Sequence, residues 1–372
     1  MPGYRIISSD NHIYEPADLW TSRIESKYRD RCPRIMPYQD CLIWVCDDTL
    51  WQSLSQGTNA GRRFDDPETI KNIDVFENVL PGSYIPEEYI KDMDIDGVDV
   101  GIIYPTVSFI LYNHVRDSDL LTACFRVYND WLGEFCSVNP RRMSAISAIN
   151  LDNVQDGIEE MERCAKMGFK GAMITVYPPE GRRYNAPEYE PFWAAAQDME
   201  MPLGLHAASN RWGSGEQFQG REIDRPAQLP NMEYGVRMSL ADMIYGGVFE
   251  RYPKLQVGSV EHELAWIRSF LDRLDFNYNQ RGPNVIGYKY KDDMLPSDFF
   301  RRNVFVGFQE DSLGIRLRDL IGVDNLQWGS DYPHTETTFP RSQEILDEIL
   351  SDCTEDEKAR IAGANAARIY KV

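Results

Sequence analysis

Residues Met143–Val176 read MSAISAINLDNVQDGIEEMERCAKMGFKGAMITV. Two short apolar runs, Met143–Ile149 (MSAISAI) and Phe169–Val176 (FKGAMITV), flank Gln155–Met167, which repeats Ile158, Met161 and Cys164 at helical spacing. Bounded apolar runs of this length read as buried strands, and a spacing of three to four as a helix with one apolar face. Strand, helix and strand in succession make a parallel β-α-β unit.

The same alternation extends in both directions. Tyr4–Ser9 (YRIISS), Val98–Thr106 (VDVGIIYPT), Pro202–His206 (PLGLH), Leu255–Glu261 (LQVGSVE), Asn303–Phe308 (NVFVGF) and Leu326–Asp331 (LQWGSD) complete a set of eight strands. Helical segments lie between them at Asp117–Val138, Glu190–Glu200, Arg237–Tyr252, Ala265–Phe276, Ser312–Ile321 and Ser342–Ser351. Eight such units predict an α/β fold, a closed (β/α)₈ TIM barrel rather than an open doubly wound sheet. No G-x-G-x-x-G follows the first strand, which argues against a dinucleotide fold. Residues 18–96 interrupt the alternation and read as an insertion after the first strand, with a hairpin at Asp40–Trp51 (DCLIWVCDDTLW) turning near Asp47-Asp48. The tail is expected to be a helix pair, Glu355–Ala362 and Asn365–Tyr370. Residues 1–372 are read as one domain, with 18–96 as a cap segment within it.

Composition narrows the partners. A formal net charge of −20 and a pI near 4.7 repel phosphate backbones and anionic lipid, so neither nucleic acid nor a membrane is expected. No run approaches the roughly 18 consecutive apolar residues a membrane helix needs. The start, MPGYRIISSD, does not read as a signal peptide. Seven cysteines, without a C-x-x-C, fit a reducing, cytoplasmic setting, and Cys124, Cys136 and Cys164 read as small core residues.

The chemistry gathers at strand ends. Of five histidines, His12, His206, His262 and His334 lie at or just past the C-terminal end of an expected strand; His114 does not. That edge of a (β/α)₈ barrel is where active sites form. Asp10 and His12 share one strand face and can grip one ion. His206 ends the fifth strand and Asp331 the eighth, where Gly329 and Pro333 mark a sharp exit. Of Glu261 and His262, adjacent at the end of the sixth, one is expected to point inward. Two aspartates and two histidines make a compact oxygen and nitrogen site suited to zinc, manganese or iron. Glu15 follows closely as a ligand, a support or a substrate contact. Arg62, Arg63, Arg182 and Arg183 lie in expected rim loops where a substrate carboxylate could be clamped. Trp51, Tyr104, Trp212 and Phe308 are candidates for an apolar lining.

At these residues the chain resembles the amidohydrolase superfamily, and within it the branch of aminocarboxymuconate-semialdehyde decarboxylase and related aromatic acid decarboxylases. The resemblance is carried by SSDNHIYEPADLW, DGVDVGIIYPT, PFWAAAQDMEMPLGLH, LQWGSDYPH and GANAARIY. The family's first-strand H-x-H (E-x-H in the aromatic acid decarboxylases) falls on Asp10-x-His12, its fifth-strand histidine on His206 and its eighth-strand aspartate on Asp331. The resemblance therefore implies one divalent metal, zinc or manganese, held by Asp10, His12, His206 and Asp331. Asp10 in place of a histidine makes the site harder and favours manganese. The sixth-strand catalytic histidine of the decarboxylases aligns with Glu261, one residue before His262. The fourth strand ends Ile174-Thr175-Val176, without the lysine that bridges two metals in binuclear members; Lys170 sits at the other end, so a single ion is expected.

The resemblance implies nonoxidative decarboxylation of a small unsaturated or aromatic carboxylate, with Asp331, Glu261, His262 and His334 as candidate catalytic groups. The alternative is hydrolysis of an amide, ester, lactone or C–C bond by metal-activated water, and a third reading is a ligand-binding barrel without turnover. By analogy a homodimer is the expected assembly.

Overall fold

The computed structural model describes residues 3–71, 74–214, 229–281 and 288–372; of these, the side chains of residues 51–53, and so Trp51, and of residue 229 lie outside the description. Eight parallel strands form one sheet: β1 (Ile7–His12), β5 (Val100–Tyr104), β6 (Met143–Ala148), β7 (Gly171–Ile174), β8 (Leu203–His206), β9 (Val257–Val260), β10 (Val304–Phe308) and β11 (Leu326–Trp328). They neighbour one another in chain order, and helices follow strands, as a (β/α)₈ barrel requires. All eight strands are buried along their whole length. That burial explains why they read as continuous apolar runs rather than alternating ones. Side chains stop the helices from fraying. Asn153 accepts from the amides of Gln155 and Asp156 at the start of Val154–Lys166, and Asp117 does the same for Asp119 and Leu120 at the start of Ser118–Ser137.

The barrel closes between β11 and β1. The Asp331 amide donates to the Asp10 carbonyl at 2.8 Å, the His12 amide to the Tyr332 carbonyl at 2.6 Å, and the Ser330 amide to Ser8 Oγ at 2.8 Å. Gly329 makes this approach possible: a Cβ there would lie 2.6 Å from the Asp10 Cβ.

Residues after β1 build a second, antiparallel sheet of β2 (Arg34–Tyr38), β3 (Cys41–Cys46) and β4 (Thr49–Ser53). The turn at Asp47-Asp48 is where the sequence put it; the third strand, β2, was not anticipated. The sheet and the short helix Arg62–Asp65 that follows it are fastened to the barrel mouth. Trp44 Nε1 donates to the Tyr14 hydroxyl at 2.9 Å, Tyr14 follows β1 directly, and Arg63 Nε donates to the Thr337 carbonyl beyond β11 at 2.9 Å. Helix Pro86–Asp96 then returns the chain to β5. The tail is one continuous rod, since a π-helical turn at Arg360–Ala364 joins Glu355–Ala359 to Asn365–Tyr370. Among the described residues no helix is long and apolar enough to cross a membrane.

Candidate metal centre

Asp10 and His12 occupy the end of β1, His206 the end of β8, and Asp331 the loop three residues past β11. All four are buried, His12 and His206 at 0% exposure. His12 Nε2 lies at the hub. It is 3.2 Å from His206 Nε2, 3.4 Å from Asp10 Oδ1 and 3.3 Å from Asp331 Oδ1; Asp10 Oδ1 is also 3.4 Å from His206 Nε2.

The protons on the two imidazoles are assigned by their other nitrogens. His12 Nδ1 faces the Pro105 carbonyl at 2.7 Å, and His206 Nδ1 faces the Ala207 carbonyl at 3.0 Å. A carbonyl only accepts, so both Nδ1 atoms carry the hydrogen. In the neutral rings both Nε2 atoms then present lone pairs to each other. Asp10 Oδ1 and Asp331 Oδ1 are buried without any hydrogen-bond partner. Four acceptors with no donor among them are costly to bury, unless a cation sits between them. Ligands at about 2.1 Å from a tetrahedral ion lie roughly 3.4 Å from one another, close to the spacings seen. The donor set therefore fits one divalent metal. Fixing the far nitrogen of each imidazole on a carbonyl is the usual support of a metal-binding histidine.

Electrostatics agree. Burial pushes Asp331 up to about 7, with Asp10 adding to the rise and His12 opposing it. Burial works against a charge on His206 too, yet Asp10 outweighs it and holds that pKa above its ordinary value. Burial and the neighbouring His334 bring His12 down to about 4. The pocket thus resists a second negative charge on Asp331 and a positive charge on His12, while Asp10 favours a positive charge at His206.

Two groups of ligand atoms cluster among the described residues: Asp10, His12, His206 and Glu261, and His12, Asp331 and His334, with His12 common to both. Glu261 approaches His206 through Nδ1, at 3.5 Å, not through the Nε2 that faces His12. It stands beside the ion position with its carboxyl held well above the usual range by burial, then by Asp331 and Asp10. Of the adjacent pair, Glu261 thus turns to the cluster, while His262 Nδ1 faces Ser259 Oγ at 3.2 Å. His334 stacks on His12 at 3.9 Å between ring centroids. Its Nδ1 is 2.8 Å from Asp331 Oδ1 but not aligned as a hydrogen bond, and its Nε2 meets Thr106 Oγ1 at 2.9 Å.

The expected substrate contacts are placed differently. Glu15 spends both carboxylate oxygens on backbone, accepting from the Val107 and Ser108 amides at 2.8 Å each. It anchors the start of helix Val107–His114 instead of reaching a ligand. Arg62 donates to the Thr69 carbonyl at the exterior. Arg182 is held by Glu188 and the carbonyls of Leu151 and Asp152. Trp212 carries the Arg116 guanidinium over its ring at 3.9 Å. Arg63 is committed to Glu310 and the Thr337 carbonyl, and Arg183 pairs with Asp242. Sequence reasoning missed Phe109, whose ring lies 5.3 Å from His206 and 6.0 Å from His12. It also missed Gln309, although a polar residue just past an apolar strand is a legible sign of a rim position.

The family model described as amidohydrolase matches residues 73–372. The chain belongs to the amidohydrolase family. Among its relatives is a gamma-resorcylate decarboxylase from Rhizobium sp. (strain MTP-10005), 22% identical in an alignment of length 341 that covers 82% of this amidohydrolase and 95% of that protein. An amidohydrolase structure from Mycobacterium avium subsp. paratuberculosis K-10 superposes with a TM-score of 0.81 at 22% identity, covering 100% of this chain and 99% of the other. A dihydroxybenzoic acid decarboxylase from Polaromonas sp. JS666, with bound manganese and the inhibitor 2-nitroresorcinol, gives a TM-score of 0.64 at 18% identity over 99% and 97% of the two chains.

Proposed function

We propose that this amidohydrolase is a metal-dependent carboxy-lyase that removes carbon dioxide, without an oxidant, from a small unsaturated or aromatic carboxylate. The observation that carries it is the convergence of two imidazole lone pairs and two unpartnered carboxylate oxygens on one buried point. The decarboxylase relatives, one of them with bound manganese, support the choice of reaction.

In this reading Asp10, His12, His206 and Asp331 hold one divalent ion. The two carboxylates favour manganese over zinc. When bound, the ion supplies a fixed positive charge that orients the substrate carboxylate and steadies charge in the transition state. The residues do the rest. Phe109, against both histidines, gives a flat apolar wall to a planar substrate. Glu261, kept protonated by its surroundings, holds a proton at its carboxyl oxygen and delivers it to the carbon that bears the carboxylate. A π pair of the unsaturated system forms the new C–H bond; the bond from that carbon to the carboxylate then breaks, its electron pair restores the π system, and carbon dioxide leaves; Glu261 regains a proton from solvent. His334, held by Thr106 and stacked on His12, braces the His12 ring. Residues 18–96 act as a cap within a single domain, and seven buried free cysteines suit a reducing cytoplasm.

The test is isotopic. The manganese-loaded enzyme, offered a panel of hydroxybenzoates in deuterated water, should release carbon dioxide and place one deuterium on the vacated carbon. Incorporation of labelled solvent oxygen into the product, with no carbon dioxide, would assign hydrolysis instead.

A further inference from the structure

A cavity of about 300 Å³ opens against Glu261, and its lining includes Glu233, Glu261, Glu263, Glu336, His262 and Trp266. Its volume suits a single-ring ligand. Its chemistry is one-sided: apart from Glu261, which holds its proton, the side chains left free on the lining are chiefly acceptors. Glu263 Oε1 takes the Gln309 amide at 3.3 Å, while Glu263 Oε2 is buried without a partner. His262 is 5% exposed, and its Nε2 has no partner either. Asp311, also on the lining, is spent: its oxygens accept from the amides of Leu264, Ala265 and Gly314. Two cations stand near. Arg63 is bound to Glu310 and Thr337, and Arg237 lies 3.6 Å from Glu233. One donor, Gln309 Nε2, is without a partner.

A second metal ion is not the natural occupant. Among the described residues the only clusters of three or more ligand atoms both contain His12, so no three groups of this cavity converge as metal ligands. An organic donor fits better. An amino group would satisfy Glu263 Oε2, while the Trp266 ring already carries the Arg237 guanidinium 5.9 Å from its centroid and bounds the space as an apolar wall. A second carboxylate or a phosphate would meet like charge. Glu261 borders both the metal centre and this cavity, so a ring with its carboxylate at the ion would present its far substituent here.

We propose that the cavity is the distal half of the substrate site and selects acids that carry an amino group, as an amino or aminoalkyl substituent on the ring. The inference rests on the metal-dependent carboxylate site proposed above. It is tested with competitive binding of the meta and para isomers of three probes, aminomethylbenzoate, methylbenzoate and benzenedicarboxylate, to the manganese-loaded enzyme. An aminomethyl isomer should bind at least about tenfold more tightly than its methyl counterpart, the scale of a hydrogen bond to a charged group. The dicarboxylates should bind most weakly. Glu263→Gln, which keeps an oxygen for the Gln309 amide, should bring the aminomethyl-to-methyl ratio towards one; Glu336→Gln provides a second reading if that variant does not fold. Equal affinity for aminomethyl and methyl probes, or an unchanged ratio in both folded variants, overturns this inference alone. Binding of every probe irrespective of manganese overturns it together with the carboxylate site.

Discussion

Replacing Gly329 by alanine tests whether the barrel seam holds the metal ligands together. The added Cβ would stand 2.6 Å from the Asp10 Cβ, 3.0 Å from its amide nitrogen and 3.2 Å from its Cα. Carbon atoms pack best at about 3.5–4.0 Å, so the shortfall is about 1 Å. No rotamer change relieves it, because the obstacles are the backbone and Cβ of Asp10. The strands must part, and Asp10 must move away from Asp331 where the two loops are joined by a 2.8 Å backbone hydrogen bond. Overpacking of this kind costs about 1–3 kcal/mol. Metal sites tolerate displacements of only about 0.2 Å, so manganese affinity should fall by about 10–100-fold or more, the range seen when ligand supports are lost. The assay is a chelator-competition titration beside thermal melts of the metal-free proteins. Gly3→Ala is the control, since nothing lies within 4 Å of its added Cβ. A folded Gly329→Ala protein that binds manganese as tightly as the parent would refute the seam argument.

Three further outcomes are expected. Glu15→Ala leaves the buried Val107 and Ser108 amides unpaired and should cost about 2–6 kcal/mol in urea unfolding; a loss below about 0.5 kcal/mol, the scale of an indifferent surface change, would show that this carboxylate does not anchor the helix. Arg211, 4% exposed, donates to Asp152 and to the carbonyls of Tyr112 and Val115. Arg211→Ala should lose about 3–5 kcal/mol, and Arg211→Lys should not restore it, because lysine lacks the planar fork; full rescue by lysine would contradict this. Removing metal with a chelator should abolish carbon dioxide release and lower the melting temperature, with manganese at 100 times its Kd restoring about 2.7 kcal/mol. A melting temperature indifferent to metal would count against a buried ion.

Most of the fold could be read from the strands because a buried parallel strand is an uninterrupted apolar run. PLGLH and LQWGSD show both the strand and the polar residue at its end. That Asp10, His12, His206 and Asp331 meet at the barrel mouth was legible because His206 and Asp331 close apolar runs, and Asp10 and His12 share one strand face. Helix Val107–His114 was not legible. Every residue in it is buried, so it has no polar face and no helical period to detect. The choice between Glu261 and His262 was also hidden. Glu261 has φ 61° and Glu263 φ 55°, a left-handed backbone usually reserved for glycine or asparagine. Strict strand alternation cannot say which way a side chain turns on such a backbone. Glu15, Arg62 and Arg182, expected as substrate contacts, each hold protein partners for one reason. A charged residue near the mouth is as readily consumed by a helix start, a carbonyl or a neighbouring carboxylate as by a ligand, and sequence does not show the competitor.

Crystals grown with manganese and recorded at its absorption edge give the most direct measurement. One anomalous peak within about 2.2 Å of His12 Nε2, His206 Nε2 and a carboxylate oxygen each of Asp10 and Asp331 is the predicted result. Two peaks, a peak coordinated elsewhere, or a fully substituted crystal with no peak among these four side chains would contradict it.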